Sequence, residues 1–404
     1  MNRTGKNALT ATIAAVVAAM MALTLTGCGS SKASAQNAAA PKIVVKIGVG
    51  VPLTAGPVAF GEGIVRATKL AVQQANESTR AKESGIEFAV VTGDDQADPK
   101  TGVNVANQFA SDPAVVGVVG HVNSGVSIPA SAIYNRAKIV EVTPISTNPQ
   151  LTDQGFDNVF RVCTIDTVQG SFAADAAFKD LGATKAFVVD DSTQYGTGLA
   201  DFFAERFAAD GGTVAGRDKT ADKETDFKAL VSKIKAAKPD VVYYGGIYNA
   251  GAILAKQLRD AGVVAPLLGG DGLFDQQYIK LAGGSNAEGD LSTSIGLPFD
   301  QLPKAQEFKA AYSAAFPGDE IAAYDAYGYD AANVIIDAVL AAAKTAGAAN
   351  VTGQGGRSAI IKAVAATDSE GVTGKLAFDA KGDTLNKAIT LYVVKSGAWT
   401  PWTK

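Results

Sequence analysis

Histidine and cysteine are nearly absent from this 404-residue chain, which carries one of the former, His121, and two of the latter, Cys28 and Cys163. A Ser-His-Asp triad or a histidine metal centre would have to be built around His121 alone. Motifs that announce hydrolytic, metal or nucleotide chemistry are also missing: there is no GxSxG, HExxH, CxxC or GxxxxGK[ST] string. Basic residues are not in excess either. The formal charge of −4 becomes more negative without Arg3 and Lys6, which argues against a nucleic-acid partner. After the first residues, no segment is apolar enough to cross a bilayer.

What is present begins at the N-terminus. Arg3 and Lys6 precede a small, apolar stretch from Ala8 to Thr26, the layout of a secretory signal peptide over residues 1–27. It ends in Leu25-Thr26-Gly27-Cys28, which resembles the lipobox of bacterial lipoproteins. By that resemblance Cys28 becomes the first mature residue and carries lipid. A membrane-spanning anchor is the alternative, but small residues and Thr dilute the run. Both readings place the remainder outside the cytoplasm, held to the membrane only by its anchor. Residues 28–41 are small or polar and without period, as a flexible tether would be. Lipidation of Cys28 leaves Cys163 unpaired, so stability must come from packing; in the alternating run Val159 to Cys163 it is expected to be a buried structural thiol.

From Lys42 onward, short β-branched runs alternate with amphipathic stretches, the pattern of an α/β fold with parallel sheets. Strands are expected at Ile43 to Val51, Ile86 to Thr92, Val115 to Gly120 and Ile139 to Thr143. Helices are expected between them at Gly61 to Ser78, Pro99 to Ala110 and Gly125 to Ala137. After a crossing near Val159 to Thr164 the pattern restarts. Helices are expected at Gln169 to Leu181, Gly198 to Ala209, Asp226 to Ala237 and Ala250 to Ala261, with strands at Ala186 to Asp190, Val241 to Gly245 and Pro266 to Gly269. The tail from Pro303 reads as helical to Ala349, with strand-like returns at Gly374 to Phe378 and Ala388 to Val394. The folded part exceeds one ordinary core, so two doubly wound parallel-sheet lobes are expected, with a cleft outside the C-terminal ends of their strands.

Several strings resemble the leucine/isoleucine/valine-binding proteins, periplasmic solute-binding components of ABC transporters. They are Gly56-Pro57-Val58-Ala59, Asp94-Asp95 with Asp98-Pro99-Lys100, Gly120-His121, Pro129-Ala130-Ser131, and Thr143-Pro144 with Thr147. The second half adds Gln194-Tyr195-Gly196 with Gly198-Leu199, Asp226-Phe227, Val242-Tyr243-Tyr244-Gly245-Gly246 and Ala287-Glu288-Gly289. Their order and spacing are more specific than any one of them. The resemblance implies three chain crossings between the lobes, with residues 42–164 and 295–390 in the N-terminal lobe and 165–294 and 391–404 in the other. It also implies a monomer without a cofactor that is not an enzyme, binds an amino acid, branched-chain by the likeness, and passes it to permease subunits. The same fold tuned to an amide, urea or aromatic acid, or serving as a sensory receptor, stays open, although no signalling module follows Lys404.

Site residues follow from strand ends and from the resemblance together. Ser124 stands before a helix, where its hydroxyl and the nearby N–H groups suit a carboxylate; a plain N-cap is the alternative. Ile145, Ser146 and Thr147 follow a strand and offer donors and carbonyl acceptors. Asp271, between Gly270 and Gly272, corresponds to the family's counter-ion for the ligand ammonium, against the plain reading of an Asp-Gly turn. Phe60 and Tyr195 are expected to wall the site with rings. Where the family has a ring after Tyr-Tyr-Gly-Gly, this chain has Ile247, so either Tyr248 takes that role or the pocket is reshaped. Ala97 and Asn123 stand where well-known members have a cysteine pair. Tyr324 and Tyr327 lie where the family presents pocket aromatics, though such a row at helical spacing is more often core. His121 is expected to be structural.

Overall fold

A computed structural model of the protein describes residues 42–403; the expected signal peptide, the tether and Cys28 lie outside the described residues. Two sheets organise the chain. The first has five strands in the spatial order Ile86–Asp94, Ile43–Val51, Val115–Gly120, Val140–Thr143 and Val159–Arg161, all parallel. Its central strand, Val-Val-Gly-Val-Val-Gly, is buried along its whole length. Helices cover both faces, so an apolar run without alternation is what the position demands.

The second sheet repeats this order with Thr213–Lys219, Lys185–Asp190, Val241–Gly245, Leu267–Gly269 and Leu291–Ile295. Two antiparallel strands, Ile389–Lys395 and Ala398–Pro401, complete it. The chain therefore crosses between the sheets three times: after Val159–Arg161, after Leu291–Ile295 and before Ile389–Lys395. In both sheets the strand order reverses beside the first strand, and the loops at that switch point are where open α/β sheets take ligands.

Three local features go beyond the expectations. Strands Thr213–Lys219 and Leu291–Ile295 carry no apolar signature. The first is a half-exposed edge strand rich in charge. The second, Leu-Ser-Thr-Ser-Ile, is fully internal, and its Ser292 hydroxyl donates to the Gly270 carbonyl at 2.8 Å, which makes a polar residue tolerable there. The return near Gly374 to Phe378 does not join a main sheet; it forms a two-stranded hairpin from Asp368–Glu370 and Lys375–Ala377.

Helix starts matter more for the site. Helix Gln194–Ala209 begins four residues before Gly198, because Thr193 accepts the Gly196 N–H as an N-cap at 2.9 Å. Helix Asp166–Asp175 begins at the first crossing and continues into a wider turn, Ala176–Asp180. Cys163 is buried, with its thiol pKa pushed upward by burial, so its reactive thiolate is suppressed.

Candidate functional site

A small cavity of about 30 Å3 lies where the switch points of the two sheets meet. Phe60, Ser124 and Ile145 come to it from loops and helix starts that follow the first sheet's strands. Tyr195, Ile247 and Asp271 come from the equivalent ends of the second. Outward lies a cleft of about 860 Å3 that shares Asn123, Ser124, Tyr195 and Ile247 with the cavity wall.

On the first wall, Ser124 opens helix Ser124–Ala137, while Asn123 occupies the capping position without a side-chain cap bond. Ser124 is therefore inside the first turn rather than an N-cap, and the helix begins at the cavity wall, where its first N–H groups lack intrahelical partners. Its hydroxyl accepts a 3.3 Å bond from the Asn148 N–H. Ile145 lines the cavity, but the Ser146 side chain does not: its hydroxyl meets Ser127 at 2.6 Å and the carbonyls of His121 and Val122 at 3.0 Å. The Thr147 hydroxyl is buried with no hydrogen-bond partner, while its carbonyl accepts the Asp166 N–H at 3.0 Å.

On the opposite wall, Asp271 begins a short turn, Asp271–Leu273, and is almost completely buried. Tyr195 donates its hydroxyl proton to Asp271 Oδ1 at 2.9 Å; the Tyr324 hydroxyl reaches the Asp271 carbonyl at 2.8 Å and Oδ2 at 3.2 Å. Burial raises the Asp271 pKa above the usual carboxylate range, and these hydroxyls oppose the rise. The flanking glycines are required by this approach. A Cβ on Gly270 would stand 2.6 Å from the Tyr195 hydroxyl, and one on Gly272 would stand 3.0 Å from it.

The aromatic expectations divide. Phe60 is at the cavity, but Tyr248 stands behind it, edge-on with ring centroids 5.3 Å apart, and Ile247 faces the cavity instead. The reason is helix phase: Ile247 precedes helix Tyr248–Asp260, so consecutive residues point in different directions. Tyr324 also packs edge-on against Phe60, at 4.7 Å, and works through its hydroxyl on Asp271 rather than as a bare ring. Tyr327 is buried.

One wall thus presents a hydroxyl and helix N–H donors, the other a buried carboxylate, an arrangement suited to a guest carrying a charge of each sign. Comparison with known proteins decides the family. A model of the periplasmic binding protein family matches residues 44–398. This chain belongs to the periplasmic binding protein family. It is 35% identical to Leu/Ile/Val-binding protein homolog 1 of Brucella abortus, over 88% of this chain and 91% of that protein. Among solved structures, the leucine-binding protein of Thermotoga maritima superposes with a TM-score of 0.79 at 31% identity, covering 89% of this chain and 98% of the other. The branched-chain amino acid transporter substrate-binding protein of Streptococcus pneumoniae, solved with isoleucine, gives 0.77 at 26% identity, covering 88% and 97%.

Members of this family are binding proteins rather than enzymes, and other buried polar groups of this periplasmic binding protein serve architecture. The His121 ring is locked between Asp95, at 2.7 Å from Nδ1, and Tyr134, at 2.9 Å from Nε2. Its carbonyl accepts from Thr143 and Ser146, which shapes the loop leading to Ser124. Arg161 had no expected role, yet it is wholly buried, ion-paired with Asp383 at 2.6 Å, and donates to the Ser146 and Asn148 carbonyls at 2.7 and 3.1 Å. It holds the loop that carries Ile145 to Thr147. Asp166 and Gln169 also went unread; Gln169 Oε1 accepts the Asp271 N–H at 3.0 Å. The one sequence signal was Asp166, a charged residue between the strand and the helix of a lobe crossing. Among the described residues no helix is long and apolar enough to cross a membrane.

Proposed function

We propose that this chain captures an amino acid with a branched aliphatic side chain and delivers it to the permease of an ABC transporter. The observation that carries the reading is Asp271, buried and held by two tyrosine hydroxyls, across the cavity from Ser124 and its helix N-terminus. A free amino acid presents an ammonium to the first and a carboxylate to the second. The aliphatic walls Ile145 and Ile247 beside Phe60 favour an apolar side chain, and the names of the relatives agree with that class.

In this reading residues 42–164 with 295–390 move as one lobe against 165–294 with 391–404. Only a ligand bridging both walls favours closure, because each wall grips a different end of it. Phe60, Ser124, Ile145, Thr147, Tyr195, Ile247 and Asp271 are the proposed contacts, with Tyr248 supporting Phe60 from behind. The protein is a monomer outside the cytoplasmic membrane, tethered through a lipid on Cys28. Substituting Cys28→Ser is expected to release it from the membrane fraction; protein still sedimenting with membranes would remove the anchor from the account.

The binding assignment is tested by thermal unfolding with single amino acids, simple amides, urea and benzoate. Ligand at a hundred times its dissociation constant stabilises by about 2.7 kcal/mol, an easily read shift. Leucine, isoleucine and valine are expected to give it. Stabilisation by amides, urea or benzoate with none by any amino acid would overturn the assignment.

A further inference from the structure

Behind Asp271 lies a second buried acid that the binding geometry does not use. Asp166 opens helix Asp166–Asp175 at the first crossing, with its N–H on the Thr147 carbonyl. Its carboxyl is wholly inaccessible, and neither oxygen has a hydrogen-bond partner. The Thr147 hydroxyl, Gln169 Nε2 and the Tyr243 hydroxyl around it are also buried without partners. Such a group of orphaned polar atoms beside the cavity is costly unless a guest or a proton compensates it.

The charges nearby decide which. Asp166 faces Asp271 from the second sheet and Arg161 from the first. The neutral groups Tyr195, Tyr243 and Cys163 face both acids, and Tyr324 and Tyr327 stand against Asp271. Arg161 is the cation of the group, and Asp383 already engages it. Two further carboxylates sharing one dry site cannot both ionise at little cost.

We infer that Asp166 and Asp271 hold one proton between them in the ligand-free protein, and that a cationic amino group entering beside Asp271 expels it, so that binding is coupled to proton release. The inference rests on the amino-acid reading given above. In the exchange the O–H bond of the carboxylic acid breaks, the electron pair stays on the carboxylate, the ligand ammonium keeps its own protons, and the proton passes to solvent buffer. Burial, reinforced by the Asp271 charge and opposed by the nearby Thr147 hydroxyl and by Arg161, pushes the Asp166 carboxyl up to about 8. The folded value lies above the unfolded one of about 4. The native state therefore holds a proton that the unfolded chain lacks between about pH 4 and 8, and ligand-free stability falls as pH rises through that window.

The test is calorimetric titration of the protein with L-leucine at pH 7 in phosphate and in Tris, whose ionisation enthalpies differ. The slope of observed heat against buffer ionisation enthalpy counts protons. About one proton released per leucine is expected, with apparent affinity rising up to about tenfold per pH unit between pH 5 and 7. Asp166→Asn is expected to remove the release and the pH slope together. Since that variant alters a buried residue, wild type also serves: its release should fall steeply between pH 7 and 9, as the acid ionises unaided. Leucine binding with equal heats in both buffers and no pH slope overturns the inference and leaves the amino-acid reading intact. Failure of leucine and of every other amino acid to bind overturns the underlying reading instead.

Discussion

Substituting Asp271→Asn is expected to weaken leucine binding at least about tenfold while leaving the unfolding temperature of the ligand-free protein nearly unchanged. The carboxylate is buried and receives the Tyr195 and Tyr324 hydroxyls, so an incoming ammonium meets a preoriented, desolvated charge. A hydrogen bond to a charged group contributes roughly 1.5–3 kcal/mol, and about 1.4 kcal/mol is a factor of ten in affinity. Asparagine keeps the shape, with one oxygen for the Tyr195 hydroxyl while Tyr324 keeps the backbone carbonyl as its acceptor, but it has no charge for the ammonium. The variant also escapes the cost of burying an anion, the cause of the raised Asp271 pKa, so the ligand-free fold should not suffer. Ser124→Ala should lose less, because the N–H groups of helix Ser124–Ala137 still hold a carboxylate. Calorimetry with leucine and with its deaminated analogue measures both. If wild type binds the deaminated analogue as well as leucine, or Asp271→Asn binds leucine undiminished, the ammonium site lies elsewhere.

The largest effect on stability is expected from Arg161→Met. Arg161 is the largest fully buried side chain among the described residues, and it connects the first crossing to the site loop and to Asp383 near the third. Methionine fills part of the space but leaves Asp383 as an uncompensated charge and takes the guanidinium donors away from the Ser146 and Asn148 carbonyls. Breaking a buried ion pair from one side costs about 3–5 kcal/mol. The unfolding temperature should fall by about 5 °C, since an unfolding entropy of about 2.1 cal/mol/K per residue gives roughly 1.3 °C per kcal/mol for a folded part of this size. Adding Asp383→Asn should restore part of the loss by removing the stranded charge. A urea midpoint that moves by the equivalent of less than about 1 kcal/mol would show that the pair is not what holds the crossing.

These two residues were unequally legible in the sequence. Asp271 could be found because it follows a strand end and sits between glycines, a local pattern that already says close approach. Arg161 lies in an alternating apolar run where a charged residue reads as an outward-facing exception. Its partners, the carbonyls of Ser146 and Asn148 and the Asp383 carboxylate, come from separate parts of the chain. Ser146 was readable as part of the site loop, but not that its hydroxyl is consumed by Ser127 and by carbonyls at the end of the neighbouring strand.

The sequence by itself determined the two-sheet α/β architecture, the family, and the strand ends where a ligand-binding cleft must lie. It could do so because helix and strand periods are local, and because sheets covered on both faces need continuous apolar strands such as Val115–Gly120. Tertiary structure alone decided that Ile247 rather than Tyr248 meets the cavity, that Tyr324 grips Asp271, and that Asp166 shares its surroundings with Asp271. The reason is physical: a periodic pattern specifies which face of an element is buried, but not what it is buried against. Electrostatic coupling acts through space and strengthens where water is excluded. Which charges feel each other is therefore set by the docking of the sheets and the phase of each helix start, and by no neighbour along the chain.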